Sequence, residues 1–243
     1  MDLGLTGKRF AVTGGTRGIG RAVVEGLIAE GAQVAFCART SEEVAQAQQE
    51  LGSAASGTAV DVGATATLAT WVNSTAEAFG GLDGVVANVS ALGIPESPEN
   101  WRTTFEVDLM GTVGLVDAAL PYLEASGAGS IVTISSVSGR EIDFAAGPYG
   151  TMKAAIIHYT QGLAFRLAGK GVRANTVSPV TPTFRAVCGR PSKRTTPSCS
   201  PRPSRSTPPA GWLLRRRWPT RWCSCPVRQR VSSPGRTCWS TGR

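Results

Sequence analysis

A glycine-rich turn between a predicted strand and a predicted helix is the feature that most constrains how this chain can fold. The apolar run Arg9–Thr13 is followed directly by Gly14-Gly15-Thr16-Arg17-Gly18-Ile19-Gly20. Apolar residues then recur at helical spacing as far as Ile28, and Gly31 ends the helix. Glycine lets the backbone turn sharply and approach a ligand closely, while a helix N-terminus presents free N–H groups to an anion. The pattern therefore predicts a strand–turn–helix unit that binds a pyrophosphate.

The alternation of strand and helix continues along the first three quarters of the chain. Helices are predicted between the strands, including one capped by Ser41, a long one from about Pro98 to Glu124 with a bend near Pro121, and one at 148–168. This alternation is typical of an α/β protein with a Rossmann-type, doubly wound parallel sheet, whose ligands bind beyond the carboxyl ends of the strands. The six predicted strands lie at residues 9–13, 33–37, 58–61, 84–88, 130–135 and 172–177.

The composition changes abruptly near residue 184. Residues 185–243 hold 14 of the 25 Lys and Arg residues, nine of the 15 prolines, and no Asp or Glu. The first 184 residues carry 11 basic and 17 acidic side chains, a net charge of −6, so the overall charge of +8 averages two unlike segments. A shift of this kind marks a boundary between different kinds of chain. We expect one α/β domain at residues 1–179 and a basic, poorly ordered tail rich in Pro, Arg and Ser at residues 180–243.

The glycine spacing and several later motifs resemble one family. Gly14, Gly18 and Gly20 have the spacing G-x-x-x-G-x-G, which resembles the short-chain dehydrogenase/reductase family rather than the common G-x-G-x-x-G pattern. The resemblance extends from Gly7 to Pro179 and implies an NAD(P)-dependent oxidoreductase with a Rossmann fold. In that family the chain ends with a seventh strand, which is not recognisable in the tail of this sequence.

The resemblance also implies which residues bind the cofactor. Asp61-Val62 after the third strand resembles the family's adenine contact, and Asn88-Val89-Ser90 stands where the family usually has Asn-Ala-Gly. Asn88 matches that motif, whereas the two residues after it depart from it. The implied cofactor-binding residues are Gly14, Thr16, Arg17, Gly18, Ile19, Gly20, Arg39, Asp61, Val62, Asn88, Tyr149, Lys153 and Pro179.

The end of the second strand favours NADP(H) over NAD(H). An acidic residue there would bind the ribose 2′-hydroxyl of NAD. This chain instead reads Cys37-Ala38-Arg39-Thr40, without an acid. Arg39 and Arg17 are suited to bind a 2′-phosphate, because guanidinium groups form charge-assisted hydrogen bonds to phosphate. The alternative is that both arginines are solvated surface residues.

A tyrosine and a lysine form the predicted catalytic pair. Tyr149 and Lys153 lie four residues apart on a predicted helix, so their side chains share one face. A lysine ammonium lowers the pKa of a neighbouring tyrosine, which can then exchange a proton with a substrate near neutral pH. The resemblance places a catalytic serine 13 residues before the tyrosine, at Ser136, where it would hold the substrate oxygen. Ser135 and Ser138 are the nearby alternatives.

The family's fourth catalytic residue is replaced in this chain. The resemblance places an Asn in the long helix, but the sequence there has Asp108. In the family the main-chain carbonyl of this residue helps to hold a water that leads to the lysine, and such a role would survive the substitution. A carboxylate near Lys153 would in addition oppose the shifts in pKa that the lysine causes.

These residues together predict hydride transfer between a nicotinamide and a ketone or secondary alcohol, such as a 3-oxoacyl substrate that an acyl carrier could present. The resemblance implies a homotetramer or dimer. We expect a cytoplasmic protein without a membrane or nucleic-acid partner, since neither a signal peptide nor an apolar span is apparent. His158 is interpreted as a packing or interface residue and not as a base. Cys223 and Cys225 lack a second pair at metal-ligand spacing, so no metal site is predicted.

The tail reads as a frameshift. With GC-rich codons, a shifted frame of Val231–Gly242 encodes FVTGTNLLVDG, which resembles the family's last strand, and the same offset gives plausible segments elsewhere between residues 180 and 225. Our hypothesis is the loss of one base in or just after the codon for Pro179, which the nucleotide sequence of the gene tests. Two alternatives follow from the tail. It could impair catalysis and leave a cofactor-binding protein, or it could be a basic arm that binds nucleic acid or membrane.

Overall fold

Six parallel strands form the sheet of the computed structural model, which describes residues 3–180. The strands are β1 (Arg9–Thr13), β2 (Gln33–Ala38), β3 (Ala55–Ala59), β4 (Gly84–Ala87), β5 (Ser130–Ile134) and β6 (Arg173–Val177). In this part of the chain their order is β3-β2-β1-β4-β5-β6, and each neighbouring pair is parallel. The direction of winding reverses between β1 and β4, which is where such sheets bind their ligands. The predicted Rossmann-type, doubly wound sheet is confirmed.

Helices connect the strands. They are α1 (Gly18–Ala29), α2 (Ser41–Leu51), α3 (Thr65–Phe79), α4 (Pro98–Thr104), α5 (Gly111–Ala125) and α6 (Pro148–Leu167), with a π-helical segment at Phe105–Met110. The sequence predicts one long helix from about Pro98 to Glu124. The structure has three consecutive segments there, namely α4, the π segment and α5. The α-helix continues through Pro121, and the irregularity lies in the π segment instead. A π turn holds one more residue than an α turn, and here it includes the fully buried Asp108.

Two apolar clusters cover the two faces of the sheet. Neighbouring residues of one strand belong to different clusters, as Ala11 and Val12 of β1 show, because successive side chains of a strand point to opposite faces. The first cluster includes residues of α3, α5 and α6, and the second includes residues of α1 and α2. Representative helix residues are Leu68, Leu115 and Leu163 in the first cluster and Val24 and Val44 in the second.

The third strand begins earlier than the sequence predicts. The predicted range is 58–61, whereas β3 spans Ala55–Ala59 and pairs with β2. Gly57 lies against the ring of Phe36, and a Cβ at this position would lie 2.7 Å from Phe36 Cζ. Packing therefore favours glycine at position 57, and a search for residues of high β propensity misses the first half of this strand.

The predicted cap of α2 is also wrong. Thr40, not Ser41, occupies the N-cap position, and its side chain forms no capping hydrogen bond. The Ser41 hydroxyl is instead 3.2 Å from the Glu42 carboxylate, to which it donates a hydrogen bond. The two acids in the first turn, Glu42 and Glu43, still complement the helix dipole.

The predictions for the tail at residues 181–243, including the lost seventh strand, lie outside the described residues. Between residues 3 and 180, none of the helices combines the length and the apolar character that crossing a bilayer requires.

Candidate functional site

The carboxyl ends of the strands open into a cleft of about 330 Å³. Residues that follow β1, β2, β3, β4, β5 and β6 all contribute to it, together with two side chains of α6. Of the residues predicted to form the site, those that line this cleft are Gly14, Thr16, Arg17, Ile19, Arg39, Val62, Asn88, Ser136, Tyr149, Lys153 and Pro179. Gly18, Gly20, Asp61 and Asp108 are not among the lining residues.

The glycine turn depends on backbone conformation and on close packing. Gly14 and Gly18 have φ angles of +73° and +60°, in the left-handed region that favours glycine. Gly20 packs against the turn itself, and a side chain there would collide with the carbonyl oxygen of Gly14. The Asn88 amide donates hydrogen bonds to the carbonyl oxygens of Thr13 at 3.1 Å and Gly14 at 3.2 Å. Gly18, Gly20 and Asn88 therefore hold the shape of the turn.

The N-terminus of α1 lies beside this turn and fits a phosphate group. Arg17 occupies the N-cap position and makes no side-chain capping hydrogen bond. The first N–H groups of the helix thus have no side-chain acceptor from the cap, and the dipole of the helix favours an anion there. Because Gly14 and Ile19 also line the cleft, the residues present fit the pyrophosphate of a dinucleotide.

Basic and acidic side chains lie together at the end of the cleft beyond β2. Arg17 and Arg39 line this end, as the sequence predicts for a 2′-phosphate site. Glu43 of α2 lines it too, and its carboxylate is 3.4 Å from Arg17 Nη1 and 3.5 Å from Thr16 Oγ1. Glu43 is not among the site residues predicted from the sequence. The signal for its place in the cleft was that it follows Arg39 by only four positions in the sequence.

The segment after β3 contributes to the cleft through its apolar residues. Val60 and Val62 are buried and line the cleft. Asp61, between them, is exposed, and its Oδ1 accepts a hydrogen bond of 2.9 Å from the N–H of Gly63. The structure thus shows the Asp61 carboxylate stabilising the turn that precedes α3.

Lys153 lies at the base of the other end of the cleft, with its side chain only 2% exposed. Its ammonium donates a hydrogen bond of 3.1 Å to the carbonyl oxygen of Ile134 and lies 3.2 Å from Asp108 Oδ2. It also lies 5.5 Å from the centre of the half-buried Tyr149 ring. Burial lowers the pKa of Lys153, and Asp108 raises it by charge and by hydrogen bonding; the net direction is downward.

The three candidate serines differ in what their hydroxyls contact. Ser135 Oγ donates to the main-chain carbonyl of Lys153 at 2.7 Å, and Ser138 Oγ donates to Asp143 at 2.7 Å. Ser136 Oγ donates a 3.3 Å hydrogen bond to Ser138 Oγ and accepts a 3.2 Å hydrogen bond from the Ser138 N–H. Ser135 and Ser136 line the cleft. Ser135 donates to a main-chain carbonyl at 2.7 Å, whereas Ser136 donates to another hydroxyl at the longer distance of 3.3 Å, so the geometry favours Ser136 as the serine that holds a substrate oxygen.

Asp108 contributes its carboxylate as well as its backbone. Oδ2 accepts a 2.5 Å hydrogen bond from Ser90, and Oδ1 accepts a 2.7 Å hydrogen bond from the N–H of Ala91. Its main-chain carbonyl accepts a 2.6 Å hydrogen bond from Thr112 Oγ1. From the sequence, Asp108 is predicted to act through its backbone and to place a carboxylate near Lys153, whereas its hydrogen bond with Ser90 is not predicted. The signal for this contact was that both residues depart from the family motif.

Comparison with known proteins identifies the family. The family profile described as short chain dehydrogenase matches residues 8–184. Isoepoxydon dehydrogenase from Penicillium expansum is 41% identical over 187 residues, which cover 74% of this chain and 72% of that protein. L-fucose dehydrogenase from Mus musculus is 39% identical over 182 residues, covering 72% of this chain and 65% of that protein.

Solved structures agree with the sequence comparison. L-sorbose reductase from Gluconobacter frateurii, complexed with NADPH and L-sorbose, superimposes with a TM-score of 0.70 at 29% identity, covering 74% of this chain and 71% of that one. A short chain dehydrogenase from Burkholderia cenocepacia in complex with NADP has a TM-score of 0.66 at 34% identity, covering 72% and 74%. The chain belongs to the short-chain dehydrogenase/reductase family, whose members are NAD(P)-dependent oxidoreductases acting on alcohol and carbonyl groups.

Proposed function

We propose that this protein is an NADP(H)-dependent oxidoreductase that interconverts a ketone and a secondary alcohol, with residues 1–179 as its cofactor-binding and catalytic domain. The observation that carries the proposal is the convergence of Tyr149, Lys153 and Ser136 in a cleft that the glycine turn also lines. The similar proteins named as dehydrogenases and as a sugar reductase support this reaction class.

Each of these side chains has a separate task in the proposed reaction. Tyr149 donates a proton to the carbonyl oxygen during reduction and accepts it during oxidation. Lys153, whose ammonium lies 5.5 Å from the centre of the tyrosine ring, attracts the anionic cofactor by its positive charge. Ser136 holds the substrate oxygen by a hydrogen bond. The nicotinamide, when bound, supplies or accepts the hydride.

The preference for NADP(H) rests on charge at the adenosine end of the cleft. Arg17 and Arg39 line that end and offer guanidinium groups to a 2′-phosphate. Glu43 opposes this preference, because it pairs with Arg17 at 3.4 Å. Arg39 is therefore the arginine that we propose contributes most to binding the 2′-phosphate.

Two classes of substrate are proposed for this reaction. The names of the similar proteins point to small hydroxylated compounds, which we propose as the first class. The second class is 3-oxoacyl compounds, including those on an acyl carrier, which the resemblance of the sequence to the family suggests. In this family the segment after Pro179 shapes the substrate pocket, so the described residues favour the reaction class more than the individual substrate.

The test is NADPH oxidation by the full chain with a panel of cyclic ketones, ketoses and 3-oxoacyl thioesters. Replacing Tyr149→Phe removes the proton donor and should reduce turnover by roughly 10²- to 10⁴-fold. NADPH affinity should change little, because the phenol acts in the chemical step. Turnover that survives in Tyr149→Phe at the wild-type rate would contradict the assigned mechanism.

A further inference from the structure

A buried carboxylate contacts the proposed catalytic lysine directly. Asp108 is 0% exposed and Lys153 is 2% exposed, and 3.2 Å separates Asp108 Oδ2 from Lys153 Nζ. Two buried charges lose their hydration, so such a pair requires good geometry and further hydrogen bonds to be stable. Ser90 and the Ala91 N–H supply those bonds, at 2.5 Å and 2.7 Å, and so use both carboxylate oxygens.

The two donors to Asp108 belong to the loop that forms a wall of the cleft. Asn88, Val89, Ser90 and Leu92 of this loop line the cleft. The loop is held in an unusual conformation, since Leu92 has a φ of +54°, and the Leu92 N–H donates to Ser90 Oγ at 3.1 Å. Ser90 therefore connects the wall of the cleft to Asp108, and Asp108 connects it to Lys153.

We propose that Asp108 is a positioning residue whose carboxylate keeps the Lys153 ammonium charged and fixed at the base of the cofactor cleft, and that Ser90 couples this lysine to the wall formed by residues 88–92. The inference rests on the proposed function, because it assigns a role toward the same cofactor. The same proposal explains why Ser90 and Asp108 both depart from the family pattern: the buried carboxylate of Asp108 requires a hydrogen-bond donor, and the Ser90 hydroxyl supplies one.

The charges around Lys153 determine the sign of the expected effect. Within residues 3–180, Asp108 is the acid that pairs with Lys153, and Tyr149 lies beside it on α6. Other charged groups, on the elements that pack against α6, are exposed: Glu99, Arg102, Glu106, Arg140, Lys170 and Arg173. Asp143, in the loop before α6, is half-buried and bound to Ser138. Removing Asp108 thus removes the main group that opposes the effect of burial on the lysine.

The test is direct titration of Lys153 by NMR. The chain has four lysines, Lys8, Lys153, Lys170 and Lys193, so lysine-selective ¹³C labelling gives few signals, and Lys153→Met assigns the one of interest. In Asp108→Asn we expect the pKa of Lys153 to fall by roughly one to three pH units relative to wild type. NADPH binding should then begin to weaken at correspondingly lower pH, because the ammonium that attracts the anionic cofactor is lost earlier.

Asp143→Asn is the matched control. Asp143 accepts hydrogen bonds from a serine hydroxyl and a backbone N–H, Ser138 at 2.7 Å and Ala145 at 2.8 Å, as Asp108 does. Within the described residues, no ion pair joins it to Lys153. We expect this variant to leave the Lys153 titration within a few tenths of a pH unit of wild type. An unchanged titration in Asp108→Asn, or an equal shift in the control, would overturn the proposal.

Ser90→Ala tests the connection to the cleft wall and keeps the proposal falsifiable if Asp108→Asn does not fold. This variant retains both charges but removes the hydroxyl that links the loop to Asp108. We expect NADPH to bind roughly three- to tenfold more weakly, with Lys153 still titrating close to wild type. Wild-type affinity in Ser90→Ala would refute the coupling. Since the lysine titration needs no cofactor, a wild-type protein that fails to bind NADPH would count against the proposed function alone.

Discussion

Arg39 is the residue on which the proposed cofactor preference depends most. It lines the cleft just beyond β2, which ends without an acid. Arg39→Ala should weaken NADPH binding roughly tenfold, because a charge-assisted hydrogen bond to the 2′-phosphate is lost. NADH has no 2′-phosphate, so its affinity should change by less than about twofold. Isothermal titration with both nucleotides measures the two effects.

Glu43→Gln is the companion change at the same end. It removes the charge that pairs with Arg17 at 3.4 Å and should strengthen NADPH binding by a fewfold. Both effects should shrink at high salt, since these groups are solvent-exposed. If Arg39→Ala weakened NADPH and NADH equally, the residue would have no specific role toward the 2′-phosphate.

Spacing in the sequence was sufficient to predict residues whose partners are close along the chain or follow a family motif. Tyr149 and Lys153 are separated by one helical turn, and both lie in the cleft as predicted. Ser90 and Asp108 are 18 positions apart and on different elements, so their hydrogen bond depends on how the π segment packs against the loop after β4. No local pattern encodes such a contact.

Among the elements, β1 and β4 share an electrostatic connection at their N-terminal ends. The Asp83 carboxylate, just before β4, accepts hydrogen bonds from Arg9 Nε at 2.7 Å and from the Arg9 backbone N–H at 3.0 Å. Lys8 Nζ lies 3.5 Å away. Burial alone would raise the pKa of Asp83, but the contacts with Arg9 and Lys8 outweigh it, and the net direction is downward. The pair thus stabilises the centre of the sheet while Asp83 is ionised.

Asp83→Ala should lower the free energy of unfolding by about 1.5–3 kcal/mol near neutral pH, the usual contribution of hydrogen bonds to a charged group. Because the pKa is lowered in the folded state, the contribution is complete above the ordinary range of an aspartate, about pH 4, and is lost as the pH falls through the folded value. Urea unfolding of wild type and variant between pH 7 and pH 3 measures this. A difference between the two proteins that grows toward low pH would contradict the assignment.

Element order was predictable, whereas element details were not. Six strands were correctly predicted in their order along the chain, because buried parallel strands consist of short apolar segments. The π segment Phe105–Met110 has the composition of an ordinary helix, and nothing in its residues indicates the wider turn. The start of β3 was missed because packing against Phe36 selects glycine there rather than a β-branched residue.

For the whole molecule, the described residues account for the cofactor cleft and the reacting groups. The family profile ends at residue 184, and the alignment with isoepoxydon dehydrogenase leaves 28% of that protein unmatched. The frameshift hypothesis, which places the loss of one base in or just after the codon for Pro179, stays a prediction. A restored reading frame should yield a chain that matches the family beyond residue 184.

The oligomeric state also belongs to this scale and stays a prediction. The resemblance to the family implies a homotetramer or dimer with α6 at an interface. Phe165 on α6 is 88% exposed, so this helix has a large apolar side chain available for such a contact.

The central claim is that the cleft formed by residues 3–180 binds a nicotinamide dinucleotide, and equilibrium binding of NADPH to the full chain, followed by fluorescence, tests it most directly. We predict saturable binding that is tighter for NADPH than for NADH and is retained in Tyr149→Phe. A monodisperse, folded protein that shows no saturable binding of either nucleotide would contradict the account.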